Sequence, residues 1–559
     1  MAAEKKPASM TTVVAASAAG TAFEWYDFFL YVPLVAILQK TFFAGLNDVT
    51  ATLFALGSFA IGFAFRPIGA LIFGRIGDRI GRKATFLVTM MLMGASTFAI
   101  GLLPSYSQVG ILAPLLFIGL RILQGLALGG EWGGAAIYIV EHVSPEKRGL
   151  TSSWLGGSAA FGLGGALLVV LITRTLLGEA VFAAWGWRVP FLFSAFLLAI
   201  SLWIRLKLHE SPVFAKMRDE GRRSEKPYVE SFLHWPNLKI VLLALFGIMI
   251  AQGAVWYMVF FYGQSFLETM IKVAPSTVNI ILLILTALSV PMYLFFGWLS
   301  DRVGRKPVML SGVLLILVTM FPAFHGLETF GNPALSAAQK ASPVTVVADP
   351  ADCSVQFDPV GKSQFSTSCD IAKSILARQG VSYANRAAAA GSPAVVTVGQ
   401  ASVASPSGAG LDAKALASLR GATQQAITDA LRDAGYPEKA DPAQTNPAAL
   451  LGILILLAIG ATALYGPQAA ALVEMFPARV RYTALSLPYH IGTGWVGGFL
   501  PAAAFAIVTT RGDIYAGLWY PFVFTAVAAV VMALFLKETR GRPLDEHDAA
   551  VGGGPAGPV

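Results

Sequence analysis

Five ionisable side chains stand inside long apolar runs of this sequence: Glu24, Asp27, Arg66, Arg121 and Glu131. A charge at the centre of a bilayer costs about 2.5–3.5 kcal/mol on insertion scales, so such residues usually face a partner or a water-filled path. Glu24 and Asp27 are three residues apart and share one face of a helix. Glu131 follows Arg121 by ten residues, nearly three turns, and falls roughly on the same side. A carboxylate beside an arginine stays ionised; once a substrate anion takes over that arginine, proton binding is favoured. Asp27 as proton carrier, with Arg121 as its partner or as the holder of a substrate carboxylate, would therefore couple proton and anion. The alternative is a static ion pair that fixes helix packing. Glu24, Glu131 and Arg66 admit both readings, and Tyr26 and Gln124 are candidates beside them. Further along, Gln252, Tyr257, Tyr262, Tyr489 and His490, with Tyr465 and Gln468, offer hydrogen bonds without fixed charge. His490 reads as a packing residue or a proton relay.

Twelve apolar spans must position these groups, near 12–38, 51–74, 85–103, 111–140, 151–173, 187–206, 238–266, 276–299, 308–326, 448–475, 483–508 and 516–536. Each is long enough to cross a bilayer as a helix. The chain has 559 residues, 55% hydrophobic and only 13% charged, which excludes a soluble enzyme and a disordered protein. Its net charge of +8 raises nucleic acid in a soluble protein; in a membrane protein the surplus belongs to cytoplasmic loops. Arginines and lysines crowd 75–83, 205–239 (Arg205 among them) and 300–307, whereas 104–110 has no charge and 39–50 only Lys40. Both termini are therefore expected in the cytoplasm. Glu24 and Asp27 interrupt the first apolar stretch, which argues against a cleaved signal peptide.

The sequence repeats itself. Phe73-Gly74-Arg75-Ile76-Gly77-Asp78-Arg79-Ile80-Gly81-Arg82-Lys83 returns as Phe296-Gly297-Trp298-Leu299-Ser300-Asp301-Arg302-Val303-Gly304-Arg305-Lys306, an offset of 301 − 78 = 223. Glu141 and Arg148 return as Glu474 and Arg481, an offset of 474 − 141 = 333. The difference places about 110 extra residues in the second half, where the apolar runs stop at 327–447. That segment carries nine Lys/Arg, ten Asp/Glu and both cysteines, Cys353 and Cys369. Outside the cytoplasm a Cys353–Cys369 disulfide is expected. Leu416, Leu419, Ile427 and Leu431 recur at helical spacing in 411–434, and 388–410 reads as a flexible linker. The expected division is an N-terminal six-helix half (1–206), a central cytoplasmic loop (207–237), a C-terminal half (238–326 and 448–537), the outer insertion (327–447) and a cytoplasmic tail (538–559).

The Gly-x-x-x-Asp-Arg-x-Gly-Arg-Lys loop after spans two and eight resembles the major facilitator superfamily. Gly20-Thr21-Ala22-Phe23-Glu24-Trp25-Tyr26-Asp27-Phe28-Phe29, Arg121-Ile122-Leu123-Gln124-Gly125, Gly130-Glu131-Trp132-Gly133-Gly134, Trp187-Arg188-Val189-Pro190-Phe191 and Leu208-His209-Glu210-Ser211-Pro212-Val213-Phe214 resemble its metabolite:proton symporter family. The resemblance covers both halves but not the insertion. It implies an all-α bundle of twelve transmembrane helices in the bacterial inner membrane, importing carboxylates such as shikimate, 2-oxoglutarate or citrate, or zwitterions such as proline and betaine, with protons. It also implies a gate. Gly74, Asp78, Arg79, Gly81, Arg82 and Lys83, and their repeats Gly297, Asp301, Arg302, Gly304, Arg305 and Lys306, would tie to helix ends near Glu141, Arg148, Glu474 and Arg481. Breaking those ties would let the halves rock. The alternative is that the loop arginines only set orientation.

No Walker loop, nucleophile elbow or metal-ligand spacing occurs. No cofactor, metal or enzymatic activity is expected. The expected partners are a small metabolite, protons and membrane lipid, with no nucleic acid, and the expected state is a monomer. Carboxylate import leads; zwitterion import, drug efflux and a transporter-like sensor using the insertion compete with it.

Overall fold

The computed structural model describes residues 10–43, 48–206, 210–357 and 364–544. Apolar helices dominate: α1 (Met10–Phe29), α2 (Tyr31–Phe42), α3 (Asp48–Arg79), α4 (Arg82–Leu102), α5 (Leu112–His142), α6 (Pro145–Leu177), α7 (Arg188–Leu206), α8 (Trp235–Met270), α9 (Pro275–Val303) and α10 (Arg305–Gly331). After an intervening segment come α14 (Pro447–Met475), α15 (Arg481–Arg511) and α16 (Ala516–Phe535). Among the described residues, ten of these are long and apolar enough to cross a membrane, α4 to α10 and α14 to α16. The expected spans at 12–38 and 51–74 fall on α1 with α2, and on α3. Long side chains such as Leu168 and Leu171 of α6 and Ile280 and Leu283 of α9 point outward. Lipid solvates such faces at no cost, provided the helix satisfies its own backbone.

Glycines set the close crossings. An added Cβ at Gly69 of α3 would overlap the Leu126 carbonyl of α5, and one at Gly125 or Gly129 of α5 would overlap Gly62 or Arg66 of α3. Small residues let backbones approach in this way. In the second half, Gly253 of α8 meets Gly492 of α15. Both helices carry wide π turns, Met258–Tyr262 in α8 and Ile491–Gly497 in α15. Such irregular turns are common where helices line functional sites.

The intervening segment contains α11 (Pro333–Ala341), β1 (Val344–Ala348), α12 (Ser368–Arg378), β2 (Tyr383–Ala387), β3 (Ala394–Val398), β4 (Ala401–Ser405) and α13 (Ala413–Asp433). Its sheet runs β2-β1-β3-β4, with β1 parallel to β2 and the other pairs antiparallel. Val344, Val346, Val396 and Val398 alternate inward. The flexible linker expected at 388–410 is therefore wrong: it holds β3 and β4. Runs of five residues within Ala, Gly, Ser and Pro hide β-branched alternation from a compositional reading. Cys353 and Cys369 are disulfide-bonded, with Cα atoms 5.1 Å apart. The hydrogen bonds joining this unit to the helices run to the second half. Tyr383 N donates to Gly512 O (2.6 Å), Asn385 Nδ2 to Arg511 O (3.0 Å), and Ala440 N to Lys272 O (3.0 Å).

Candidate functional site

Two clusters of buried polar side chains lie within the first half. In one, Arg205 of α7 donates to Glu24 Oε1 of α1 (2.8 Å) and to Glu131 Oε1 of α5 (3.1 Å). All three are at most 3% exposed. Arg205 lies over the Phe86 ring at 3.6 Å, and Gly20 leaves room for its guanidinium. By sequence Arg205 stands among the loop arginines; the structure buries it. In the other cluster Arg121 donates to Gln124 Oε1 (2.8 Å), and Gln124 Nε2 donates to the Thr97 hydroxyl (2.8 Å). Arg121 also lies over the Tyr31 ring at 4.7 Å. Asp27 is buried near Thr97, and its Oδ1 accepts no hydrogen bond. Asp27 enters no ion pair among the described residues, so Arg121 is not its direct partner in this conformation. The Tyr26 hydroxyl is committed to the Pro190 carbonyl (2.8 Å).

Arg66 occupies the boundary between the halves. It is 1% exposed, and its guanidinium lies 5.7, 4.8 and 4.6 Å from the rings of Trp25, Phe28 and Phe63. Across the boundary it faces Tyr257, Tyr465 and Tyr489. Its Nε has no hydrogen-bond partner, and among the described residues no carboxylate lies against it. Trp132 stacks on Tyr489 with ring centroids 3.7 Å apart, and His490 packs edge-on against Tyr489 at 4.9 Å. Gln252 is buried with Oε1 unpartnered. Tyr262 does not join this group; it packs with Phe266 and Phe324 near the α/β unit.

At the end carrying the repeated loops the halves are tied twice, in matching fashion. Asp78 accepts from Tyr482 N (3.1 Å) and Thr483 N (2.8 Å) at the start of α15. Asp301 accepts from Gly149 N (2.8 Å) and Leu150 N (2.7 Å) at the start of α6. Carboxylates suit helix N-termini because their backbone N–H groups are free and the dipole is positive there. Gly74 and Gly297 admit the facing helix: a Cβ on Gly74 would press on Thr483 Cα, and one on Gly297 on the Gly149 carbonyl. Arg481 pairs with Glu141 across the boundary (2.5 Å), and Arg148 approaches Glu474 (3.6 Å). Within each half, Arg82 pairs with Glu141, and Arg305 with Glu474 (3.3 Å).

Sequence reasoning missed one layer of this network. Glu210 accepts from Lys83 N (3.2 Å), and Glu538 accepts from Arg305 N (2.9 Å) and Lys306 N (3.0 Å). Ser211 donates to Glu141, and Thr539 to Glu474 (3.0 Å). Leu208-His209-Glu210-Ser211 and Leu536-Lys537-Glu538-Thr539 are a third repeat, at an offset of 538 − 210 = 328, which could have been found. Gly81 and Gly304 turn the chain at φ +140° and +111°, conformations that L side chains rarely adopt. Arg79, Lys83, Arg302 and Lys306 point outward instead. Lys83 Nζ reaches Leu206 O (3.2 Å), Lys306 Nζ reaches Ala533 O (2.8 Å), and Arg302 lies over Trp298 at 4.1 Å.

Residues 17–338 match the family described as Major Facilitator Superfamily, and residues 423–550 the family described as Sugar (and other) transporter. The chain is 39% identical over 332 residues to the inner membrane metabolite transport protein YhjE of Escherichia coli K12, covering 58% of this chain and 75% of that protein. It is 38% identical over 321 residues to the E. coli K12 shikimate transporter, covering 56% and 71%. It is 34% identical over 323 residues to a proline/betaine transporter of Salmonella typhimurium, covering 56% and 63%. Among solved structures, the proton:xylose symporter XylE bound to 6-bromo-6-deoxy-D-glucose superposes with a TM-score of 0.61 at 15% identity, covering 97% of this chain and 98% of that one; this likeness concerns the fold. The chain is a membrane-spanning transporter, not an enzyme, and it belongs to the major facilitator superfamily.

Proposed function

We propose that this transporter imports a small organic acid together with protons, by alternating access across a bacterial inner membrane. The observation that carries the reading is Arg66. A buried guanidinium at the boundary of two halves, ringed by aromatics and tyrosines and with no carboxylate against it among the described residues, is suited to an anion that arrives from outside. The substrate carboxylate docks on Arg66, and Tyr257, Tyr465 and Tyr489 orient the rest of the molecule. Asp27, with a free carboxylate oxygen, carries the proton, and Arg121 and Gln124 hold its surroundings. His490 and Gln252 line the same boundary. The arginine-rich loops put the Asp78/Asp301 end in the cytoplasm. The gate there is shut, and parting of Asp78 from α15 and of Asp301 from α6 opens it.

A relative that carries shikimate, itself a carboxylate, supports this substrate class. Relatives that carry proline and betaine support a second reading. A zwitterion would place its carboxylate on Arg66 and its ammonium on the faces of Tyr257, Tyr489 or Trp132, which attract cations.

The test is uptake into liposomes under an imposed pH gradient, with labelled shikimate, 2-oxoglutarate, citrate, proline and glycine betaine. Gradient-driven accumulation of a carboxylate is expected. Arg66→Ala is expected to weaken apparent affinity by about 10- to 100-fold, from a charged hydrogen bond of about 1.5–3 kcal/mol. Asp27→Asn is expected to abolish accumulation but keep exchange. Accumulation of zwitterions alone selects the second reading. No uptake of any of the five refutes both and favours a sensor.

A further inference from the structure

Glu24, Glu131 and Arg205 come from three helices, and the acids outnumber the base. Glu24 and Glu131 both lie on the Arg205 guanidinium, at 2.8 and 3.1 Å, and among the described residues no other cation pairs with either of them. Glu131 Oε2 is buried and accepts no hydrogen bond. With both carboxyls ionised the cluster carries a net negative charge in a closed, apolar place; with one proton shared between them it is neutral. Two carboxylates that share one guanidinium in a buried site do not both ionise readily. Among the described residues, the titratable groups around the cluster are Asp27, one turn along α1 from Glu24, and Tyr482 of α15. Phe86 of α4 adds only its ring.

Tyr482 belongs to the other half. Its ring fills a notch made by Gly77 of α3 and by Gly130 and Gly134 of α5. An added Cβ on Gly77 or Gly134 would overlap it, and its hydroxyl donates to the Gly130 carbonyl (2.5 Å). Gly130 immediately precedes Glu131. The backbone N–H of Tyr482 itself donates to Asp78. The gate and the plug over the acid pair are thus one element, the start of α15.

We propose that Glu24 and Glu131 form a proton-binding site separate from Asp27: they share one proton beside Arg205, and Tyr482 seals it until the gate opens. On opening, α15 withdraws and takes Tyr482 from its notch. The carboxyl O–H bond then breaks and the proton passes to water at that end, leaving two carboxylates on a guanidinium that stays charged. The site stands on geometry alone; only the direction of release, into the cytoplasm, rests on the importer reading above.

The test needs no substrate. Infrared difference spectra of the purified full-length protein, titrated with acid and base, report protonated carboxyl groups. At neutral pH a buried protonated carboxyl is expected that survives Asp27→Asn but is lost in Glu24→Gln and equally in Glu131→Gln, since removing either acid leaves a neutral carboxylate–guanidinium pair. Either variant suffices if the other misfolds. Persistence of the signal in both variants, or its absence from the parent, overturns the proposal. In deuterated buffer the signal is expected to exchange slowly in the parent and at least tenfold faster in Tyr482→Ala; equal rates refute the seal. These outcomes are independent of the uptake assay, so a failed importer reading and a failed proton site are told apart.

Discussion

Arg205 shows how one side chain is judged by its company. Removing it leaves two buried carboxyls without their cation, and breaking a buried pair in this way costs about 3–5 kcal/mol. Arg205→Met is therefore expected to lower thermal stability in detergent markedly, and adding Glu24→Gln should restore part of the loss. Glu24, Asp27, Arg66, Arg121 and Glu131 were legible as candidates because each interrupts an apolar run. Arg205 was not, because Leu-Trp-Ile-Arg-Leu at the end of a span reads as the start of a basic loop. The partner of each charge was also illegible. Spacing along one helix puts Arg121 and Glu131 on a common side, but the choice of Arg205 over Arg121 as the partner of Glu131 depends on how α7 packs against α1 and α5.

Helices and turns carry a different kind of constraint. Gly81 and Gly304 precede α4 and α10 in conformations that strain any L residue, at about 1–3 kcal/mol each. Gly81→Ala and Gly304→Ala should each lower stability by that order and loosen the Glu210 and Glu538 contacts beside them, as read by thermal unfolding. Gly69→Ala adds a methyl group against the Leu126 backbone, which cannot step aside; a loss of about 1–3 kcal/mol is expected from the same measurement. At this scale the apolar helices were plain in the sequence, since runs of about 20 apolar residues have few other uses. The strands of the α/β unit were not, because five-residue segments among alanine, glycine and serine leave little periodicity to count. The disulfide of that unit closes a loop of separation 16, for which the chain-entropy model gives about 3 kcal/mol. Cys353→Ser is expected to make residues 344–405 of the full-length protein more susceptible to protease, with less effect on the membrane helices.

For the whole molecule, the matched ties of Asp78 and Asp301 mean that neither half alone holds the proposed gate. Each contributes a carboxylate and receives one at a helix start. Asp78→Asn and Asp301→Asn should shift the population toward an open gate to a similar degree, and the double variant further. Spin labels at Glu146→Cys and Arg302→Cys, both exposed, would report this as a longer distance; both native cysteines are in the disulfide. The repeated loop was legible because its signature occurs twice, and its reading as a gate came from the resemblance. The Glu210 and Glu538 layer went unread because its repeat is only four residues long.

The α/β unit has a practical consequence. Its β2 strand and the turn at Ala440 are hydrogen-bonded to the ends of α15 and α8, so it travels with the second half. A transporter of this kind is usually a featureless helical barrel inside a micelle, hard to orient in electron micrographs. Here a folded appendage projects from one half only. It offers a natural alignment mark for single-particle imaging, and a fluorophore on its outlying β4 edge would magnify a small tilt between the halves into a displacement large enough to follow in single molecules.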